Sequence, residues 1–395
     1  EIKPDLLNYL PVENILYYAN KKKHISHDTL IYEPREKKHV YEKKLTPNIG
    51  FDGQEILYTA NYNENGFRVN SSKTPSDIVF IGDSLIEIGE NDNVTITEYV
   101  ARETGLSVYN MGRSGYCPYQ YVEVLKEYGL AMKPQYAVMC FFAGNDIRDM
   151  EQFNNWLNGG NYYRMGDSTL SFFKRYYYAL SDAFPWLSFY RTKMKIRAAE
   201  KWILQSIGVL EIPEVSPDAG EMDPDELLVQ LPASDRKYKM YLHRRLPAVP
   251  VDELRVTDEF VALQGLIKQF KGISEDNGII PLLLYIPDKY NIYQRYVTDE
   301  SSSRILPSFK KTQMYAENDV KAIDSICEEL SIPMIDLLPG FQKAAEEGKM
   351  LYYWHDGHWN DAGVKEASRI IAQEFEKLGI KPRGGKRDKP RIDTN

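Results

Sequence analysis

Residues 78–85 read Ile-Val-Phe-Ile-Gly-Asp-Ser-Leu, and this stretch decides the fold. Four apolar residues predict a buried strand, and the following Gly82-Asp83-Ser84 predicts a turn into a helix. In an open α/β sheet the carboxyl ends of the strands border the crevice where ligands bind. A serine hydroxyl at that place predicts a nucleophile, which needs a base, an orienting carboxylate and donors for a developing oxyanion.

The chain on either side of this stretch alternates between strand and helix patterns. The predicted elements are, in order, strand 78–81, helix 95–104 ended by Gly105, strand 107–111, helix 118–130, strand 136–142, helix 259–270, strand 279–286, helix 313–330, strand 334–336 and helix 361–378. Such alternation predicts an α/β fold with a parallel sheet and helices on both faces.

The pattern also divides the chain into regions. Residues 1–75 read as an N-terminal extension of loops and short strands, and residues 76–376 as the main domain. An insertion at about 150–255 interrupts that domain, and its aromatic residues between Phe153 and Trp202 predict either a small core of its own or a cap that stacks on sugar rings. Residues 377–395 predict a disordered basic tail, because the stretch 384–391 within it lacks apolar side chains.

Composition excludes several classes of protein. With 395 residues, 43% hydrophobic and 27% charged, the chain can bury a sizeable core and reads as folded. A formal charge of −8 argues against a nucleic-acid partner, which needs a concentrated basic face. The three cysteines, Cys117, Cys140 and Cys327, are too widely spaced to indicate a disulfide framework or a metal site.

The start of the chain leads to an expectation about location. The sequence begins at Glu1 without a methionine, and it contains neither a signal peptide nor an apolar run of about 18 residues. We expect that a targeting or anchoring segment has been removed, which predicts an extracytoplasmic protein with a membrane-associated partner. A cytoplasmic chain from which a tag was cleaved is the alternative.

Candidate catalytic groups lie in four places. Residues 354–360 read Trp-His-Asp-Gly-His-Trp-Asn, which offers His358 as the base and Asp356 as its orienting carboxylate. The donors are predicted near Gly115 and Asn145, because glycine allows close approach of a backbone amide and an asparagine amide is a neutral donor. His355 competes with His358, and Asp336, which follows a strand, is the fallback for Asp356.

These blocks resemble those of the SGNH hydrolases, also called the GDSL family. The resemblance covers about residues 76–149 and 255–376, through the blocks 82–85, 110–115, 144–146 and 356–358. It implies a three-layer α/β/α flavodoxin-like fold and cleavage or transfer of acyl esters, with no metal or organic cofactor. It also implies that Ser84 is the nucleophile and His358 the general base. The oxyanion hole would comprise the amides of Ser84 and Gly115 and the Asn145 side chain.

Two details depart from the common family pattern. Many members separate the aspartate and the histidine by two residues, whereas one residue separates Asp356 from His358. The resulting Asp-x-His-Trp form resembles the alginate acetyltransferase branch, in which the histidine precedes the serine. The second block contains Gly112 as well as Gly115; Gly115 is preferred because it lies five residues after Asn110, and Gly112 stays an alternative.

The sequence therefore predicts a serine ester hydrolase or O-acyltransferase acting through a covalent acyl-enzyme. Its expected substrates are acyl esters, mainly acetyl esters of carbohydrate. The same triad serves hydrolysis and transfer, so both remain open. A non-catalytic carbohydrate-binding or polysaccharide-assembly protein on the same scaffold is the alternative from another class, and a serine-to-histidine separation too large for a hydrogen bond would favour it.

Overall fold

A computed structural model describes most of the main domain. The described residues are 61–157 without 64, 73, 90 and 91, then 226–232, 237–242, 249–298, 313–353 and 357–383, together with the backbone of 43–45 and 56–58. Contacts divide the chain into two units. The first comprises residues 1–29 and 152–221, of which 152–157 are described; the second comprises residues 30–151 and 222–395.

The strands of the second unit form three sheets. In chain order they are β1 (Lys43–Leu45), β2 (Ile56–Tyr58), β3 (Ile78–Gly82), β4 (Val108–Gly112), β5 (Tyr136–Phe142), β6 (Glu226–Gln230), β7 (Lys237–Tyr241), β8 (Ile280–Ile286) and β9 (Met334–Asp336). Strands β1 and β2 pair antiparallel, as do β6 and β7. The other five form one parallel sheet in the order β4-β3-β5-β8-β9.

Ten α-helices connect or cover these strands in the described part of the chain. They are α1 (Ser84–Glu87), α2 (Ile96–Thr104), α3 (Pro118–Val124), α4 (Asp146–Leu157), α5 (Val251–Arg255), α6 (Asp258–Asp276), α7 (Lys289–Tyr293), α8 (Asn318–Leu330), α9 (Leu338–Glu346) and α10 (Asp361–Lys377). A π-helical turn, Leu125–Gly129, extends α3. Helix α2 packs against α10, and α3 packs against α6.

Strand β3, an interior strand of the sheet, contacts helices on both faces. Its Phe80 ring meets the Phe375 ring of α10 edge to face, with centroids 6.4 Å apart. The next side chain, Ile81, points to the opposite face and lies beside Gly129 of the π-helical turn. The predicted three-layer α/β/α fold with a parallel sheet is therefore confirmed. The strand order is that of flavodoxin-like folds, whose ligands bind at the switch point beside the first strand.

Local signals account for most of the predicted elements. Thr95 caps the start of α2, where its hydroxyl accepts a hydrogen bond from the Glu98 amide, and Gly105 ends the helix at a φ of 74°. Asn360 caps α10 in the same way, through Gly363. Helix α6 extends six residues beyond the predicted end at Phe270, and α8 begins at Asn318 rather than at residue 313.

Other predictions concern the insertion and the tail. The described part of the predicted insertion contains the end of α4, the β6–β7 pair and α5, while the aromatic stretch 158–202 lies outside the described residues. The predicted tail begins too early at residue 377, because Ile380 is buried and the Arg383 amide donates to Asp77 Oδ1 at 3.0 Å. No helix in the described ranges is long and apolar enough to cross a membrane.

Candidate active site

Ser84 lies at the carboxyl end of β3, where the chain turns abruptly into α1. Gly82 permits this turn, since a Cβ there would lie 2.5 Å from the Ile86 side chain and 3.0 Å from that of Cys140. Asp83 caps α1 by accepting a hydrogen bond from the Leu85 amide at 2.9 Å. Ser84 is thus the first residue of α1, held on a short rigid turn at the switch point of the sheet.

His358 is carried by a short hairpin that precedes α10. Tyr352 and Trp359 form an antiparallel bridge, and the Tyr353 amide donates to the His358 carbonyl at 3.0 Å. Tyr352 and Trp359 are buried, and the Tyr352 hydroxyl donates to the Pro287 carbonyl beyond β8. The hairpin is therefore anchored to the core on both of its arms, which fixes the position of the histidine between them.

The structure brings these two side chains together. His358 Nε2 lies 2.8 Å from Ser84 Oγ, although 274 residues separate them in sequence. That distance is typical of a hydrogen bond between a nucleophile and its base. The proposed orienting residue Asp356 and the competing His355 both lie outside the described residues.

The two candidate glycines of the second block differ in their surroundings. Gly112 is the last residue of β4, and its amide donates to Asn110 Oδ1 at 2.9 Å. A Cβ at Gly112 would lie 2.3 Å from the Glu87 amide nitrogen, so this glycine serves the packing of α1 on β4. Gly115 lies in the loop beyond, at a φ of 81° that favours glycine. This geometry favours Gly115 over Gly112 as the oxyanion donor.

Asn145 follows β5 at the same edge of the sheet as Ser84. Its Nδ2 donates to Asp149 Oδ2 at 3.0 Å, and Arg148 binds the other oxygen of Asp149. Asn145 Oδ1 is buried and has no hydrogen-bond partner. Asp149 thus orients the side-chain amide of Asn145 by accepting a hydrogen bond from its nitrogen.

Two buried carboxyl groups lie beneath the serine. Burial raises the pKa of Asp83 to about 6, although the Leu85 amide, the charge of His358 and a hydrogen bond from Asn145 act in the opposite direction. Burial and the charge of Asp83 also raise the pKa of Asp146, which accepts hydrogen bonds from the Phe142 amide and the Tyr121 hydroxyl. Both residues brace loops through hydrogen bonds to backbone.

Asp336 is poorly placed to replace Asp356. It ends β9, three strands from β3 in the sheet, which amounts to about 14 Å at the usual strand spacing. Its Oδ1 accepts the Leu338 amide at 2.8 Å near the start of α9. The carboxylate therefore supports its own loop, three strands from the one that carries Ser84.

The sequence interpretation missed two residues near the site, Glu87 and Tyr62. Glu87 lies three residues after Ser84 and is almost fully buried, and its carboxylate accepts hydrogen bonds from the Tyr62 hydroxyl and the Ser114 amide. A charged residue among Leu85, Ile86 and Ile88 was the available signal, since buried carboxylates are rare unless partnered.

The flavodoxin-like sheet, the serine at its switch point and the histidine hydrogen-bonded to that serine agree with what the SGNH hydrolase resemblance implies. Residues 252–391 match the family model of the SGNH hydrolase-like domain of acetyltransferase AlgX. The match includes His358 and Asp356, whereas Ser84, Gly115 and Asn145 precede it. It confirms the predicted resemblance to the SGNH superfamily, on its alginate acetyltransferase-like side, and supports acyl-ester chemistry in general.

Three solved structures that match this chain are similar to it at low sequence identity. A GDSL-like lipase from Bacteroides thetaiotaomicron is 13% identical over 77% of this chain and 89% of its own, with a TM-score of 0.34. A lipase/acylhydrolase from Enterococcus faecalis is 12% identical over 76% and 95%, with a TM-score of 0.34. The acetyl xylan esterase AlAXEase is 11% identical over 75% and 98%, with a TM-score of 0.36. A comparison with curated proteins finds no match. All three TM-scores are below 0.5, and the flavodoxin-like fold of this chain is shown by its own strand order.

Proposed function

We propose that this protein is a serine ester hydrolase or O-acyltransferase that acts through a covalent acyl-enzyme, with acetyl esters of carbohydrate as the expected substrates. The observation that carries the proposal is the 2.8 Å separation of His358 Nε2 and Ser84 Oγ at the switch point of the sheet. The alternative of a non-catalytic binding protein predicted a separation too large for a hydrogen bond. The hydrogen-bond distance between these two atoms therefore supports the enzyme.

In the first half of the reaction, Ser84 Oγ attacks the acyl carbonyl carbon while its proton moves to His358 Nε2. The carbonyl oxygen becomes an oxyanion, which the amides of Ser84 and Gly115 and the Asn145 side-chain amide are assigned to stabilise. Asn145 Nδ2 would exchange its hydrogen bond to Asp149 for one to the oxyanion. The bond to the leaving alcohol then breaks, and that alcohol takes the proton from Nε2. Asp356 is assigned to Nδ1, where it would hold the ring in the tautomer with Nε2 unprotonated.

The second half runs in reverse with a new nucleophile. Water attacking the acyl-enzyme releases the acid, and a sugar hydroxyl attacking in its place produces an acylated sugar; in both cases His358 takes the proton and returns it to Ser84. The carboxylate of Asp83 lies close to the reacting serine, with its Oδ2 3.5 Å from Ser84 Oγ.

The direct test compares the parent with Ser84→Ala on p-nitrophenyl acetate and with a fluorophosphonate probe that modifies reactive serines. We expect the alanine variant to keep its fold and lose both turnover and labelling, because Ser84 contributes little to packing. Ser76→Ala is a matched control, since Ser76 is buried just before the opposite end of the same strand. Turnover by Ser84→Ala comparable to that of the parent would show that another residue is the nucleophile.

Transfer and hydrolysis are separated by the products. An acceptor sugar held next to the acyl-enzyme reacts at an effective concentration of up to about 10⁵ M in well-oriented cases, which lets it outcompete water. With an acyl donor and candidate oligosaccharides, a transferase yields acetylated sugar detectable by mass spectrometry. Replacing aromatic residues of 153–202 should then lower the sugar product and spare simple ester hydrolysis. Acetate release from an acetylated polysaccharide, without any sugar product, would establish a plain esterase.

A further inference from the structure

We propose that Glu87 is a positioning residue that holds the Gly115 loop in the geometry needed to bind the oxyanion. The inference rests on the proposed function, and it assigns a role to a buried carboxylate that the reaction itself does not use. The same four-residue helix, α1, carries the nucleophile at its first position and Glu87 at its last. One rigid turn therefore sets both the attacking oxygen and the loop that faces the developing charge.

The two oxygens of Glu87 have different partners. Oε2 accepts a hydrogen bond from the Ser114 amide, and Oε1 accepts one from the Tyr62 hydroxyl at 2.6 Å. Glu87 is only 2% exposed, so this carboxylate is shielded from water and its hydrogen bonds are strong. Ser114 immediately precedes Gly115, and its amide is thereby fixed relative to α1.

Gly115 needs such a constraint. Its φ of 81° lies in a region that glycine adopts at little cost, and glycine adopts other backbone conformations as easily. The glycine alone therefore does not define the direction of its amide. The loop is held at its base, where the Arg113 amide donates to the Gly82 carbonyl at 3.0 Å. Glu87 supplies the attachment one residue before the glycine. Oxyanion donors must be in place before the charge develops, so a loose loop would lose catalytic power.

The far side of Glu87 is fixed by residues that precede the sheet. Tyr62 is buried, and Arg68, which is fully buried, donates to the Glu87 carbonyl at 3.2 Å and to the Gly89 carbonyl at 3.3 Å. The Arg68 guanidinium also pairs with Asp92 at 2.6 Å. Residues 61–68, which we call the N-terminal strap, thus support α1 through Tyr62 and Arg68 and complete the link from Tyr62 through Glu87 to Ser114.

The test uses substitutions that remove or retain the acceptor for Ser114. Glu87→Met removes it, Glu87→Gln keeps one carbonyl oxygen for the Ser114 amide, and Tyr62→Phe removes only the hydroxyl behind Glu87. The matched control is Glu98→Met, because Glu98 is also buried and also accepts a backbone amide and a hydroxyl, both from Ser71, at a place away from the Gly115 loop. Active sites are counted by fluorophosphonate labelling of Ser84, so that misfolded protein does not enter the rate.

For Glu87→Met we expect kcat per labelled site on p-nitrophenyl acetate to fall about 10- to 100-fold with little change in KM, since complete loss of one oxyanion donor costs about 10²- to 10³-fold. Inhibition by a phenylboronic acid, which forms a tetrahedral anion on the serine, should weaken by a similar factor. Glu87→Gln should stay within about threefold of the parent. Tyr62→Phe should lower kcat about three- to tenfold, and it keeps the test decisive if Glu87→Met does not fold.

The control separates positioning from general support of the fold. Glu98→Met should lower the unfolding temperature and leave kcat per labelled site unchanged. A parent-like kcat in Glu87→Met or in Tyr62→Phe, or an equal loss of kcat in Glu98→Met, would overturn the positioning role. A wrong proposed function would give a different result from a wrong positioning role. In that case the parent itself would neither turn over the ester nor react with the fluorophosphonate.

Discussion

Replacing Asp336 by asparagine should stabilise the protein at neutral and alkaline pH. Burial, together with the charges of Asp324, Asp319 and Glu317, raises the pKa of this carboxyl from 3.8 to about 6. The raised pKa means that the folded protein holds the protonated form more tightly than the unfolded chain does. Its contribution to stability is therefore fully present below pH 3.8 and is lost as the pH rises through about 6.

The size of the effect follows from that pKa. Each pKa unit corresponds to 1.36 kcal/mol, so ionised Asp336 lowers the free energy of unfolding by about 3 kcal/mol at pH 8 and by about 1 kcal/mol at pH 4.5. Asparagine cannot ionise, and its Oδ1 can still accept the Leu338 amide that Asp336 binds at 2.8 Å. The free energy of unfolding of Asp336→Asn should thus exceed that of the parent by about 3 kcal/mol at pH 8, and by less at lower pH.

Urea unfolding of both proteins at pH 4.5 and pH 8 measures this difference. If the difference in the free energy of unfolding does not grow with pH, or if the variant is less stable than the parent at pH 8, the raised pKa of Asp336 is refuted. Ester turnover measured on the same samples should be unchanged, because Asp336 lies three strands from Ser84. A large loss of turnover in a folded variant would instead make Asp336 the orienting carboxylate.

Three further substitutions test the site and its supports. His358→Ala should lose as much ester turnover as Ser84→Ala, because triad members act as a unit, whereas an inactive His355→Ala beside an active His358→Ala would identify the other histidine as the base. Gly112→Ala should lower the free energy of unfolding by about 1–3 kcal/mol and reduce kcat, since its Cβ would displace α1; parent-like unfolding and turnover would contradict this close packing. Arg68→Met should lower the free energy of unfolding by about 3 kcal/mol, because it leaves Asp92 and two carbonyls without their shared donor, and a loss below about 1 kcal/mol in urea unfolding would contradict it.

Sequence patterns predict the sheet and the serine–histidine pair because their signals are local. The buried strands read as apolar runs, and polar or small residues follow each of them at the edge where the site forms. Helix α9 escaped prediction because Pro339 and Gly340 suggest a break. The proline instead occupies the first turn, where a missing amide hydrogen costs little, and Gly340 allows α10 to approach, since a Cβ would lie 2.4 Å from the Ile370 side chain.

The supports of the site could not be predicted, because they join residues that are distant in sequence. Tyr62 and Glu87 are 25 residues apart, and Glu87 and Ser114 are 27 apart. Neither pair has a fixed spacing that a motif could express. The Glu87–Ser114 contact depends on the pairing of β3 with β4, which places α1 beside the loop after β4, so it follows from the tertiary fold rather than from any local preference.

The N-terminal strap also decides where this domain can be cut. A shortened chain that starts at Asp77, where the alternation of strands and helices begins, would look complete by the pattern of its sequence. It would nevertheless lack Arg68 and Tyr62, and it would open the back of α1 to water. For expression, grafting or directed evolution, the smallest useful fragment therefore begins upstream of Asn61, whose backbone and side chain both bind Asp92. An active site transplanted to another protein must therefore include the N-terminal strap as well as the segments that carry the catalytic groups.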